Sequence, residues 1–214
     1  MLPMDSHATG ILPDLKPGQD KRRDTIVREA RRFFMSQGYA STRIEPIARA
    51  ACVSTATLYA YFPSKEHLFG AVIENAADDF ARQMECVRLT DGPAREVLTG
   101  FALAYARFMG DPFVRAVFRL VMAERPRFRE VARRFFDRGR SDFGRPLIQA
   151  LQTLADRGEI RFDKASWAAG QLMGMVEHPV FFMPLVTGDE VQAERSPEKI
   201  ASDAVETFLA RYGT

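Results

Sequence analysis

Prolines and glycines punctuate this chain at intervals that suit helices, and between them apolar residues recur three and four positions apart. That punctuation constrains the fold more than any other feature. No run of alternating residues is backed by hairpin signals, so strands are not expected. The first helix is expected from Lys21 to Gln37, with Ile26, Ala30, Phe33 and Phe34 as its apolar stripe and Gly38 at its left-handed end. Thr42 can cap a second helix, with Glu45 completing a capping box and Ile44, Ile47, Ala48 and Ala51 facing inward. Ser54 is the cap candidate for a third helix that must stop before Pro63. Ser64 opens a fourth, with Leu68, Val72, Ile73, Ala76 and Phe80 in its stripe.

Longer helices follow. They are expected over 93–109 and, behind the cap Asp111, over 112–124; another starts at Pro126 and runs towards Arg138. "GRSDFGRP" marks a break or kink before a helix through Asp156. Asp163 caps an apolar helix over 164–185, and Ser196-Pro197 opens the last, 197–212. The expected architecture is all-α: an N-terminal three-helix helix-turn-helix domain plus a larger C-terminal helical bundle. Its expected division is a flexible arm over 1–19, a helix-turn-helix domain over 20–66 and a ligand-binding and dimerisation domain over 67–214. With 214 residues, 46% of them hydrophobic, the chain is long enough to bury such a core.

Several function classes fall away. Cys52 and Cys86 are the only cysteines and form no CxxC or Cys/His ligand spacing, so neither a zinc site nor a disulfide framework is expected. His7, His67 and His178 have no nucleophile partner or metal spacing, and no Gly-rich phosphate loop is present. No enzyme, catalytic residue, cofactor or metal is therefore expected. The N-terminus lacks the charged and apolar regions of a signal peptide. Gln171, Glu177, His178 and two prolines interrupt the most apolar run, 165–186, so it reads as a buried helix before a membrane span. A cytoplasmic protein is the expectation.

Charge points to a partner. The net charge is only +2, yet residues 20–68 hold nine bases against five acids, a surplus that suits a polyanion. Inside that region, Ser54 to Tyr61 carry five hydroxyl side chains in eight positions and no acid. Leu58 and Phe62, four apart, can anchor an inner face, while Thr57 and Tyr61 share another face beside Ala56 and Ala60. Small residues allow a backbone close to a duplex, and hydroxyls donate to phosphates that an acid would repel. Lys65 adds an ammonium at the start of the next helix. On composition alone, a capped surface turn accounts for the stretch equally well.

The motifs go further. "FFMSQGYASTRIEPIARAACVSTATLYAYFPSKEHLF" resembles the DNA-binding region of the TetR family of bacterial transcriptional regulators, over roughly residues 22 to 69. The shared positions include "G-Y-x-S-T" from Gly38, "IARAA-x-VS" from Ile47 and "TLY-x-YF-x-SKE-x-LF" from Thr57. The resemblance implies that Thr55, Ala56 and Thr57 lead a recognition helix and that Tyr59, Tyr61, Lys65 and Arg43 meet the DNA backbone. Two positions depart from the family. Cys52 stands where the family generally has a glycine in a left-handed turn, at a cost of about 1 kcal/mol. Either a tolerated small residue or a redox sensor fits there. Glu45 stands where the family often has a base-contacting arginine.

"FVRAVFRLVMAERPRFREVARRFFDRG" and "WAAGQLMGMVEHPVF" resemble the C-terminal region of AefR-like members, which implies an effector site and a homodimer formed by the last two long helices. Ser166, Gly170 and Gly174 make a small-residue stripe, and Ile200, Ala204, Val205, Phe208, Leu209 and Tyr212 a broad apolar face. Both suit a dimer interface, and both suit an ordinary core. Candidates for a ligand pocket are Tyr105 and Phe108, Phe118 and Met122, and Gln171, Met175 and His178, with Glu177 and His178 as polar orienting groups. The expected function is a ligand-responsive, homodimeric repressor on a near-palindromic operator, answering to a small apolar effector. The alternative is a helical small-molecule binding or scaffolding protein that has lost DNA binding, which Cys52 and Glu45 favour.

Overall fold

The computed structural model describes residues 17–85 and 92–214. Cys86 and most of the N-terminal arm lie outside the described residues. Helices α1 (Pro17–Ser41), α2 (Ile44–Ala50) and α3 (Thr55–Tyr61) form a three-helix unit, and α4 (Lys65–Glu85) packs along α1. Ile26, Ala30, Phe34, Ile47, Leu58 and Leu68 meet in its centre, all fully buried. α1 begins at Pro17, inside the stretch expected as arm, because a first-turn proline loses no helical hydrogen bond. Gly38, with φ 73°, kinks its far end.

The capping box at Thr42 does not form. Thr42 is buried, and its hydroxyl donates to the carbonyls of Gly38 (2.7 Å) and Phe33 (3.2 Å). Carbonyls at the end of α1, four and nine residues back, compete for the hydroxyl and win it. Arg43 becomes the N-cap residue without a side-chain bond, and Glu45 is left exposed in the first turn.

The second layer contains α5 (Ala94–Met109), α6 (Pro112–Glu124), α7 (Arg129–Gly139), α8 (Arg145–Asp156), α9 (Ala165–Glu177), α10 (Met183–Val186) and α11 (Pro197–Tyr212). Asp111 and Ser196 cap α6 and α11 by accepting from Phe113 N (2.8 Å) and Lys199 N (3.3 Å). Pro126 lies in the turn before α7 rather than opening it; Arg127 N and Phe128 N both bond to the Glu124 carbonyl. Lys164, not Asp163, is the N-cap residue of α9. At "GRSDFGRP", the expected place of a break or kink, a π-helical segment, Arg140–Gly144, joins α7 to α8. A second, His178–Phe182, joins α9 to α10. Pro146 and Pro179 cannot supply the usual backbone N–H, and a wider turn absorbs each without ending the helix.

α11 lies on α5 and α9, so Ile200, Ala204, Val205, Phe208 and Tyr212 are buried within the chain. That face serves the core and is closed to a second protomer. Ser166, Gly170 and Gly174 are exposed, and nothing lies within 4 Å of where a side chain on either glycine would begin.

A buried cation locks the far end. Arg115, 2% exposed, donates to Asp189 Oδ1 (2.6 Å) and to the Gly110 carbonyl (2.6 Å), while Arg119 donates to Asp189 Oδ2 (2.6 Å). Asp189 sits in the left-handed region, at φ 70°. The same Arg115 reaches the Val180 carbonyl (3.3 Å) inside the second π segment. Among the described residues there is no strand beyond the isolated bridge Ile160–Gly213, and no helix long and apolar enough to cross a membrane.

Candidate DNA interface and internal cavity

α3 is held by its cap and its inner face. Ser54 Oγ accepts from Thr57 N (3.0 Å), and Leu58 and Phe62 are buried. What remains points outward: Thr55, Ala56 and Ala60 are exposed, Tyr59 is 46% exposed, and Thr57 and Tyr61 are half-buried. Arg43 is exposed at the start of α2.

The turn from α2 to α3 rests on Cys52, whose φ of 55° is left-handed. Cys52 N donates to Arg49 O (3.1 Å) and Val53 N to Ala48 O (2.9 Å), the pair of bonds that closes a Schellman motif. A cysteine there costs about 1 kcal/mol relative to glycine, and the motif forms nonetheless.

Lys65 does not extend freely from the start of α4. Its ammonium lies 4.3 Å from the centre of the Tyr39 ring and 3.4 Å from the Ala40 carbonyl. Burial first, and then the nearby Arg127 charge, lower its pKa. Tyr39 donates to Glu66 Oε1 (2.9 Å), which also receives Arg127 Nη2 (2.8 Å). Hydrogen bonds from its own backbone, Ser64 and Tyr39, together with the Arg127 charge, hold the Glu66 carboxyl down at about 2. Burial, reinforced by Glu66, pushes the Tyr39 phenol up to about 12. Phe128 stacks on Phe69 (4.6 Å between ring centres) and meets Tyr39 edge-on (4.9 Å). The α6–α7 turn is thus docked on the three-helix unit beside Lys65. No periodicity marks this cluster, since it joins residues far apart in the chain.

Between α4, α5, α6, α7 and α9 lies a cavity of about 850 Å³. Phe80, Phe118, Phe135, Phe143 and Met173 give it an apolar body. At one wall Tyr105 Oη donates to Glu177 Oε1. Burial, then the Glu177 charge, push the Tyr105 phenol far above its ordinary range. Arg125, Arg129, Arg133 and Arg140 stand around the opening, with half-exposed Met122.

Of the sequence candidates, Tyr105, Phe118 and Met122 line this cavity. Phe108 lies behind its wall, against Phe80 (5.2 Å) and Phe143 (4.8 Å). Gln171 and Met175 line a separate groove between α9 and α11, where Gln171 accepts from Tyr212 Oη. His178 is exposed and stacks on Phe182 (5.6 Å). α9 turns Met173, Glu177 and, one turn on, Phe181 to the cavity. The stripe through Gln171 faces the other way. Because α9 is apolar almost all round, its pattern does not mark an inner side.

Comparison with known proteins gives this arrangement its family. The profile of the AefR-like transcriptional repressor C-terminal domain matches residues 96–214, and that of bacterial regulatory proteins of the tetR family matches residues 26–72. The chain belongs to the TetR family. It is similar to a TetR-family regulator from Mesorhizobium loti MAFF303099 whose structure is solved: TM-score 0.78, 26% identity, 93% of this chain and 100% of that one. It is also similar to the flavonoid-responsive regulator FrrA, with TM-score 0.74 and 31% identity over 91% of this chain and 98% of FrrA. With HbdR, a helix-turn-helix regulator of Aromatoleum sp. (strain CIB), it shares 35% identity over 65 residues, which are 30% of this chain and 28% of HbdR. The chain thus spans little more than a quarter of that curated relative's length. As a TetR-family member it is a DNA-binding transcriptional regulator and not an enzyme.

Proposed function

We propose that this TetR-family regulator is a ligand-responsive repressor that binds a near-palindromic operator as a homodimer, in the cytoplasm. The observation that carries the reading is the outward face of α3: Thr55, Ala56, Tyr59 and Ala60 exposed on a short, capped helix without an acid. On this reading residues 20–66 read DNA, with Arg43, Thr57, Tyr61 and Lys65 adding contacts, and residues 67–214 bind effector and dimerise. Each protomer's α3 enters one of two successive major grooves. Cys52 no longer favours a chain without DNA binding, because the turn it occupies keeps its Schellman bonds.

The open stripe Ser166, Gly170 and Gly174, flanked by Trp167 (67% exposed), supports α9 as the dimer seam. A small effector with a large apolar part fits the cavity, at Tyr105, Phe118 and Met122. Likeness to a flavonoid-responsive regulator supports an aromatic one. Its arrival moves α7 and the Arg127–Phe128 turn against Tyr39 and Glu66, shifting α4 and with it Lys65. DNA and effector then weaken each other's binding reciprocally. The test is selection of genomic fragments with the purified protein at two salt concentrations. Enrichment of one palindromic motif, released at higher salt, is expected; recovery of no common sequence at either salt contradicts the reading.

A further inference from the structure

The arginines of α7 and its flanks fall into two groups. Those that face α4 pair across to it: Arg138, which also lines the cavity, closely with Asp78 (2.6 Å), and Arg134 loosely with Glu74 (3.8 Å). The other cavity-lining arginines reach no described acid on another element. Among the described residues Arg125, Arg129 and Arg140 make no ion pair, and Arg133 has only a long one, 3.8 Å, to Asp137 on its own helix. Arg129 and Arg133, four apart on α7, set like charges on one helix face, an arrangement that lowers helix stability, and Arg125 lines the same cavity from the turn before α7. Five arginines line the cavity against two carboxylates, Asp142 and Glu177. Arg138 engages Asp142 (3.4 Å), and Tyr105 occupies part of Glu177.

The cavity therefore offers two kinds of polar group beside its apolar body, exposed guanidiniums and the inner Tyr105–Glu177 pair. At the opening, unpaired guanidiniums offer forked donors that match a carboxylate. At the Tyr105 wall, the carboxylate of Glu177 keeps acceptor sites that one hydroxyl cannot fill. Beside them stand the rings of Phe80, Phe118 and Phe135.

We infer that the effector is an aromatic organic acid carrying a hydroxyl donor: its carboxylate meets Arg125 and Arg129 at the opening, its rings fill the apolar body, and its hydroxyl donates to Glu177. This rests on reading the cavity as the effector site. A cation is disfavoured by the arginines it must pass, and a neutral hydrocarbon leaves Glu177 and the guanidiniums unmatched.

Four rigid probes of one skeleton test the assignment by calorimetry on the full chain: para-hydroxybiphenyl carboxylate, biphenyl carboxylate, para-hydroxybiphenyl and the aminomethyl analogue of the last. The hydroxy acid should bind at least about tenfold more tightly than para-hydroxybiphenyl, the gain expected of a charge-assisted hydrogen bond. Replacing both guanidiniums, Arg125→Gln with Arg129→Gln, should erase that gap and leave para-hydroxybiphenyl binding as before. Glu177→Gln should keep the gap while narrowing the advantage of the hydroxy acid over biphenyl carboxylate. Both sets of variants alter side chains at the cavity surface, and circular dichroism checks that they fold. Equal affinity for acid and neutral probe, or tightest binding of the aminomethyl compound, overturns the inference but leaves the effector cavity standing. Binding of none of the four by a folded chain defeats the cavity reading itself, and the inference with it.

Discussion

The three-helix unit and the bundle beneath it solve the same packing problem in different ways. In the unit, helices of seven residues, α2 and α3, are specified almost residue by residue: Ser54 caps, Leu58 and Phe62 anchor, and Cys52 turns the chain. In the bundle, longer helices run through π segments, enclose a cavity of about 850 Å³ and rely on a buried arginine clamp. A surface that presents fixed side chains to a rigid duplex needs the first design. A site that must admit a ligand and pass on its presence tolerates space and irregular turns.

The comparison breaks first at the clamp. Asp189→Ala leaves Arg115 buried without its carboxylate and should destabilise the protein by about 3–5 kcal/mol, read as a lower urea midpoint. Leu58→Ala is its counterpart in the unit. Loss of a fully buried leucine should cost about 2–5 kcal/mol and abolish DNA binding, while binding of ligands in the cavity persists. Cys52→Gly should move the other way, raising stability by about 1 kcal/mol, because glycine adopts φ 55° without strain.

The smallest effect lies where the two regions meet. Glu66, held down at about 2 from the ordinary 4.5, favours the folded state at pH above its unfolded value and loses that contribution as pH falls towards 2. Glu66→Gln should therefore destabilise the protein slightly near neutrality, by less than about 1 kcal/mol for so exposed a pair, read as a small drop in Tm. The gap between variant and parent should close as pH falls from about 5 to about 2. A gap independent of pH would mean that the Glu66–Arg127 contact does not hold the α6–α7 turn.

How far each region could be read from the chain follows the same division. Caps at Ser54, Asp111 and Ser196, the kink at Gly38 and the left-handed turn at Cys52 are local, and neighbouring residues determine them. Thr42 misleads because its acceptors belong to α1, nine and four residues away. The two π segments lie at Pro146 and Pro179, prolines that look like helix ends until a bundle holds the chain on both sides. The cavity face of α9 was hidden by near-uniform apolarity, and the α11 face by the fact that core and dimer seam share one pattern. Arg115 carries no sequence mark of burial, since the one carboxylate that balances its charge, Asp189, lies far along the chain.

The outward face of α3 and the first turn of α4 are the centre of the account. They are tested most directly by fluorescence anisotropy of a labelled duplex taken from the genomic selection, titrated with parent and Lys65→Ala protein across a series of salt concentrations. The account predicts weaker binding for Lys65→Ala and a salt slope smaller by about one, as expected when one phosphate contact is lost. Unchanged affinity together with an unchanged slope would contradict it.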